Sequence, residues 1–87
     1  MIASGAQIRA ARAILNWKRS DLAAAARLHK NSIAHWEAKG RITPRHYQGP
    51  RAGPRRIEDA LLKAGVELFN TPTPGVRLCL RTNFQTP

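Results

Sequence analysis

Acidic side chains are scarce in this sequence. Five Asp and Glu stand against fifteen Lys and Arg in 87 residues, a formal charge of +10 at neutral pH with histidine neutral. No acidic residue occurs between Ala38 and Ile57, and twelve of the fifteen cations fall within the first 56 residues. Mixed surface charge is enough for solubility, so an excess this one-sided points to a polyanion partner. Cysteine is scarcer still. Cys79 alone excludes a disulfide within the sequence and fits a reducing, cytoplasmic compartment. No run of about 18 apolar residues is present, which excludes a transmembrane helix on length. The opening MIASGAQIRAAR has no basic region followed by an apolar block, against a secretory signal. A membrane-surface helix would carry a bulky apolar face, whereas the helical faces here are mostly alanine with isolated Ile and Leu. Nucleic acid is the better match to the charge, and a nucleoid-associated location follows from it.

The groups that carry catalysis are also missing. There is no glycine-rich phosphate loop and no nucleophile elbow. His29, His35 and His46 have no cysteine or carboxylate at metal-ligand spacing, so neither a metal nor a cofactor is expected. His46 reads as a loop residue. Cys79 falls on the polar side of an alternating stretch with no base beside it in sequence, and reads as an inert thiol. The chain does not read as an enzyme.

What is present is a succession of short helical patterns. In SGAQIRAARAIL, residues 4–15, Ser4 suits an N-cap and Gln7 stands three residues on, as in a capping box. Ile8, Ala11 and Leu15 share a face with Ile14 beside them, and Asn16 and Trp17 break the pattern. KRSDLAAAARL follows, with Ser20 and Asp21 near the start of a second helix and Leu22, Ala23 and Ala26 as a thin apolar stripe. After a corner at Arg27 and Leu28, a third helix is expected from about Lys30 to Lys39, with Gly40 as its stop. Residues 41–56, RITPRHYQGPRAGPRR, hold three prolines, two glycines and five arginines and read as a long basic loop with a short helical turn near Tyr47. A fourth helix is expected over Pro54–Ala64, with Ile57, Ala60, Leu61 and Ala64 inward and Gly65 as its stop. VELF and VRLCLR then alternate as two strands around NTPTPG, with Val76, Leu78 and Leu80 on one face and Arg77, Cys79 and Arg81 on the other. A lone hairpin is marginal in water. It must pack on a helix or pair with a second copy of the chain, which makes residues 66–87 a candidate dimerisation element beside a DNA-binding unit in 1–65.

The stretch LAAAARLHKNSIAHWE, residues 22–37, therefore reads as two helices across a tight corner. The start of the second offers its first side chains to base edges in the major groove. Asn31 can pair bidentately with adenine and Lys30 can donate to guanine, while His35 lies one turn beyond on the same face. Lys30, Asn31, Ser32 and His35 are the expected base-reading residues, with Ile33 and Trp36 holding the unit together. Arg19, Lys39, Arg41 and Arg45 flank them as expected phosphate contacts. Arg51, Arg55 and Arg56 would extend that track or enter an A·T-rich minor groove.

IRAARAILNWKRSDLAAAARLHKNSIAHWEAKG resembles the XRE, or lambda-repressor-like, helix-turn-helix family, with Ala11-Arg12, Leu22-Ala23, Leu28, Ile33 and Trp36-Glu37 at matching spacings. The resemblance covers residues 5–40 closely and 54–65 loosely. It implies a mainly α bundle of four to five short helices, here with a C-terminal β-hairpin. It also implies a structural ion pair between Arg12 and Glu37, and a phosphate contact at the position of Arg19, where the family has glutamine. Arg27 stands where the family places a left-handed glycine, which costs a residue with a Cβ about 1 kcal/mol or more. His29 replaces a capping serine, so Asn31 is open to recruitment as a cap. The function so implied is a small prokaryotic or phage-type regulator, binding double-stranded DNA as a homodimer. An antitoxin- or anti-activator-type interaction module with a regulatory protein partner is the alternative, as is an architectural or recombination factor.

Overall fold

In the computed structural model, which describes residues 1–49 and 51–79, four α-helices are followed by an antiparallel hairpin. The helices are α1 (Gly5–Leu15), α2 (Arg19–Ala26), α3 (Lys30–Glu37) and α4 (Gly53–Lys63), and the strands are β1 (Val66–Phe69) and β2 (Gly75–Leu78). A 3₁₀ turn, Pro44–Tyr47, sits in the basic segment between α3 and α4, where the sequence suggests a turn near Tyr47. No helix among the described residues is long and apolar enough to cross a membrane.

One face of each helix builds the core. Ile8 and Ala11 of α1 meet Leu22, Ala23 and Ala26 of α2, Ile33 of α3, and Ile57, Ala60 and Leu61 of α4, with Ile2, Ile42, Tyr47 and Val66 closing the periphery. The alanines let α2 lie close to its neighbours, and burying the branched residues contributes about 1.5–3 kcal/mol each. Ile14, expected beside the inward face of α1, is exposed, because it lies about 120° round the helix from Ile8, off the stripe of Ile8, Ala11 and Leu15.

The ends of the helices depart from expectation at three places. Helix α3 stops at Glu37, two residues early, and Ala38 keeps a right-handed conformation. Lys39 N–H then reaches back to the Trp36 carbonyl at 3.2 Å, and Gly40 has no positive φ, so it is not the left-handed stop expected. That role is taken by Gly65 after α4, at φ +96°. At the start of α2 the cap position is Lys18, whose N–H donates to Asp21 Oδ2 at 2.8 Å. Asp21 thus fulfils its expected role, and Ser20 is an exposed first-turn residue.

The hairpin is fastened to the helices. It pairs Val66 with Leu78 and Leu68 with Val76, and it packs on α1 and α4. Buried Gln7 ties it down: its Nε2 donates to the carbonyls of Phe69 (3.0 Å) and Gly75 (3.1 Å), while its Oε1 accepts from the N–H groups of Ala3 and Ser4. The expected alternation of β2 holds only in part. Val76 is half-buried, but Leu78 is 44% exposed at the open end of the ladder, opposite buried Val66. Cys79 is half-buried. Leu80 and Arg81 lie outside the described residues.

Candidate nucleic-acid interface

Helices α2 and α3 meet at the corner the sequence suggests. Arg27 itself takes the left-handed conformation, φ 58° and ψ 46°, and its N–H closes α2 on Ala23 and Ala24 carbonyls. Leu28 N–H follows to the Ala23 carbonyl at 2.9 Å. The backbone keeps the corner that glycine would make more easily, at the strain a Cβ brings. His29 then caps α3: its Nδ1 accepts from the Asn31 N–H at 3.0 Å. Histidine therefore replaces serine as the cap, and the Asn31 side chain is not drawn into capping.

The capped helix presents two different faces. Ile33 and Glu37 are buried, whereas Lys30, Asn31 and His35 are exposed and Ser32 is half-buried. Among the described residues, the side chains of Lys30, Asn31 and Ser32 have no hydrogen-bond partner in the protein. The ring of His35 meets Trp36 edge-on at 4.9 Å. Trp36 is half-buried and also meets His46 at 5.3 Å. On its other flank stands Gly53, where any Cβ would run into the indole Nε1. A glycine at the start of α4 is thus what leaves room for the indole there.

Three arginines fix the far end of α3. Glu37, 1% exposed, accepts from Arg12 Nε at Oε2, from Arg12 Nη2 at Oε1 (3.2 Å), and from Arg19 Nε at Oε1 (2.9 Å). The Glu37 carbonyl accepts from Arg9 Nη1. Helix α1 comes so close here that a Cβ on Gly5 would strike the Glu37 carbonyl, and Gly5 N–H donates to the Lys39 carbonyl at 2.8 Å. Burial pushes the Glu37 carboxyl up, but the hydrogen bonds and charges of Arg12 and Arg19 outweigh it. The group is held below its ordinary value and stays ionised. The Arg12–Glu37 pair is present as expected, and Arg19 joins it.

The remaining cations divide. Arg41 and Arg45 are exposed on the segment after α3. Lys39 is half-buried, with its ammonium 6.0 Å from the centre of the Trp36 ring. Arg55 Nη2 donates to the Tyr47 carbonyl at 3.3 Å and Arg56 Nη1 to the Arg27 carbonyl at 3.0 Å. Two of the three arginines of the expected basic track beyond Arg45 thus each make one internal bond, and Arg51 is exposed. His46, expected in a plain loop, lies in the 3₁₀ turn, where its Nδ1 accepts from the Thr43 N–H at 3.0 Å.

Several supports of this surface are not apparent in the sequence. Tyr47 anchors the basic segment: its hydroxyl donates to Glu58 Oε1 and accepts from the Ile2 N–H, each at 2.7 Å. Burial, followed by the Glu58 bond, pushes its phenol well above its ordinary value. A lone tyrosine in an otherwise polar loop is the signal that would have marked it. Arg9 gives no such signal, because its acceptor is a backbone carbonyl 28 residues away. No cluster of His, Cys, Asp and Glu that could hold a metal occurs among the described residues. In comparisons with known proteins, no family model, curated protein or solved structure matches this chain.

Proposed function

We propose that this chain binds double-stranded DNA sequence-specifically, as a small transcriptional regulator of the lambda-repressor-like type acting as a dimer on operator half-sites. The observation that carries this reading is the outer face of α3. Lys30 and Asn31 stand exposed with no side-chain partner among the described residues, His35 stands exposed one turn on, and the opposite face is buried and pinned at Glu37. A polar face turned to solvent, on a helix anchored through its opposite face, suits base reading. Arg19, Lys39, Arg41 and Arg45 would supply the phosphate contacts, and the charge of +10 supplies long-range attraction. The hairpin offers the dimer contact through exposed Leu78. Two half-sites one turn apart give a dimer the selectivity that a single reading helix lacks.

A gel-shift titration against DNA upstream of the chain's own gene, at two salt concentrations and with scrambled competitor, tests this. The expected result is a shifted complex that scrambled DNA displaces only in large excess. Four phosphate contacts per protomer, eight for the dimer, would make log K fall with log salt at a slope of about −7. Equal competition by scrambled DNA would move the reading to an architectural factor, and no complex at low salt would overturn DNA binding. Light scattering of Leu78→Asp tests the dimer: a monomer is expected, and an unchanged mass rules out the hairpin contact.

A further inference from the structure

We infer that Glu37 is a positioning residue for the DNA complex, holding Arg19 by its Nε so that both Nη groups are presented to a backbone phosphate. This rests on the DNA-binding reading. The two arginines on Glu37 are not equivalent. Arg12 is committed on every side: its Nε and Nη2 bond the carboxylate and its Nη1 donates to the Trp17 carbonyl at 3.1 Å. One guanidinium already balances one buried carboxylate. Arg19 adds a second, through Nε alone, with its side chain 52% exposed. Its two Nη groups carry four N–H donors, and none finds an acceptor among the described residues.

Arg19 is the first residue of α2, and its bond to Glu37 places its guanidinium at the last residue of α3. A free arginine side chain has many rotamers to give up, and a planar fork set in place by one bond forfeits less of that freedom on meeting phosphate. The carboxylate that sets it is itself immobile, being buried on α3 and gripped by Arg12. Glu37 is held in its ionised form, so this grip is present at neutral pH.

The inference reverses the sign of an ordinary electrostatic expectation. Removing a negative charge near DNA should tighten binding, whereas Glu37→Gln is expected to weaken it severalfold and to flatten the salt slope by about 0.9 per protomer, the share of one phosphate contact in each half of the dimer. Fluorescence anisotropy with the upstream duplex, in a cycle of wild type, Glu37→Gln, Arg19→Ala and the double variant, makes the test. Arg19→Ala should weaken binding about tenfold or more. Glu37→Gln should cost nothing further once Arg19 is gone. Arg19→Lys keeps charge and carboxylate but lacks the fork, and should fall towards Arg19→Ala at a nearly unchanged melting temperature.

Binding by Glu37→Gln as tight as wild type overturns the inference. So does an equal loss from Glu37→Gln with and without Arg19, which would mark an effect on the fold. If Glu37→Gln does not fold, Arg19→Lys decides, and wild-type affinity there overturns it as well. No complex with the unaltered chain would instead overturn the DNA reading from which the inference starts.

Discussion

The two faces of α3, only eight residues long, treat their polar groups in opposite ways. The inner face takes the one carboxylate of the helix, buries it, and surrounds it with Arg12 and Arg19 while Arg9 holds the carbonyl of the same residue. The outer face leaves Lys30 and Asn31 without side-chain partners among the described residues. Buried charge is costly unless fully paired, so the inner face is fixed by necessity. Exposed amide and ammonium groups lose nothing by waiting in water and gain when a ligand offers matched acceptors. The contrast separates what places the helix from what the helix presents, and substitutions on the two faces should fail in different ways.

The largest effect is expected inside. Glu37→Ala leaves the Arg12 guanidinium, four-fifths buried, without its partner and should lower stability by about 3–5 kcal/mol. Arg19 contributes little of this, since its side chain is half-exposed and screened by solvent. In a domain of this size the melting temperature should fall by more than about 10 °C, while the base preference of the protein that remains folded is unchanged. A normal melting temperature with lost base preference would erase the distinction between the faces. The same pair sets an acid limit. Because the folded state depresses the Glu37 carboxyl, its contribution is complete above the ordinary value of 4.5 and is lost as pH falls through the lower folded value. Thermal melts from neutral to acid pH should show this loss, and Glu37→Gln should remove that part of the pH dependence.

Outside, Asn31→Ala should leave stability within about 0.5 kcal/mol and reduce discrimination at one base pair by about 1–3 kcal/mol. Competition titrations against single-base variants of the site measure it, and an equal loss for every sequence would make Asn31 a general contact. Gly5→Ala drives a Cβ into the Glu37 carbonyl, and since backbone cannot swing aside as a side chain can, about 1–3 kcal/mol of stability should be lost in denaturant unfolding. The smallest effect runs the other way. Arg27 holds a left-handed conformation that glycine adopts freely, and Arg56 bonds only its carbonyl. Arg27→Gly should therefore raise stability by about 1 kcal/mol or slightly less, and a lower melting temperature would show that the Arg27 side chain supports the corner.

Legibility in the sequence follows the same division. Residues that act through local pattern are readable: the apolar spacing of Ile8 and Ala11, the Leu22–Ala26 stripe, the stop at Gly65, and the strand pair around NTPTPG all occur in the structure. The outer face of α3 was readable for a related reason, because exposure follows from helical spacing alone. Contacts that join distant segments were not. Gln7 suggested a cap for its own helix and gave no hint that it also holds the hairpin 62 residues away. Arg55 and Arg56 looked like free charge, and only the fold brings the Tyr47 and Arg27 carbonyls to them. Gly53 fell within the stretch read as a long basic loop, whereas in the structure it leaves room for Trp36. The early end of α3 was unreadable because Ala38 and Lys39 are both good helix formers.

The most direct measurement is selection of bound duplexes from a random double-stranded library, run in parallel on the unaltered chain and on Asn31→Ala. The outer-face account expects the unaltered chain to enrich a two-fold sequence with half-sites about 10 base pairs apart, and Asn31→Ala to lose preference at one position in each half. Identical preferences from both proteins, or no enrichment from either, would contradict it.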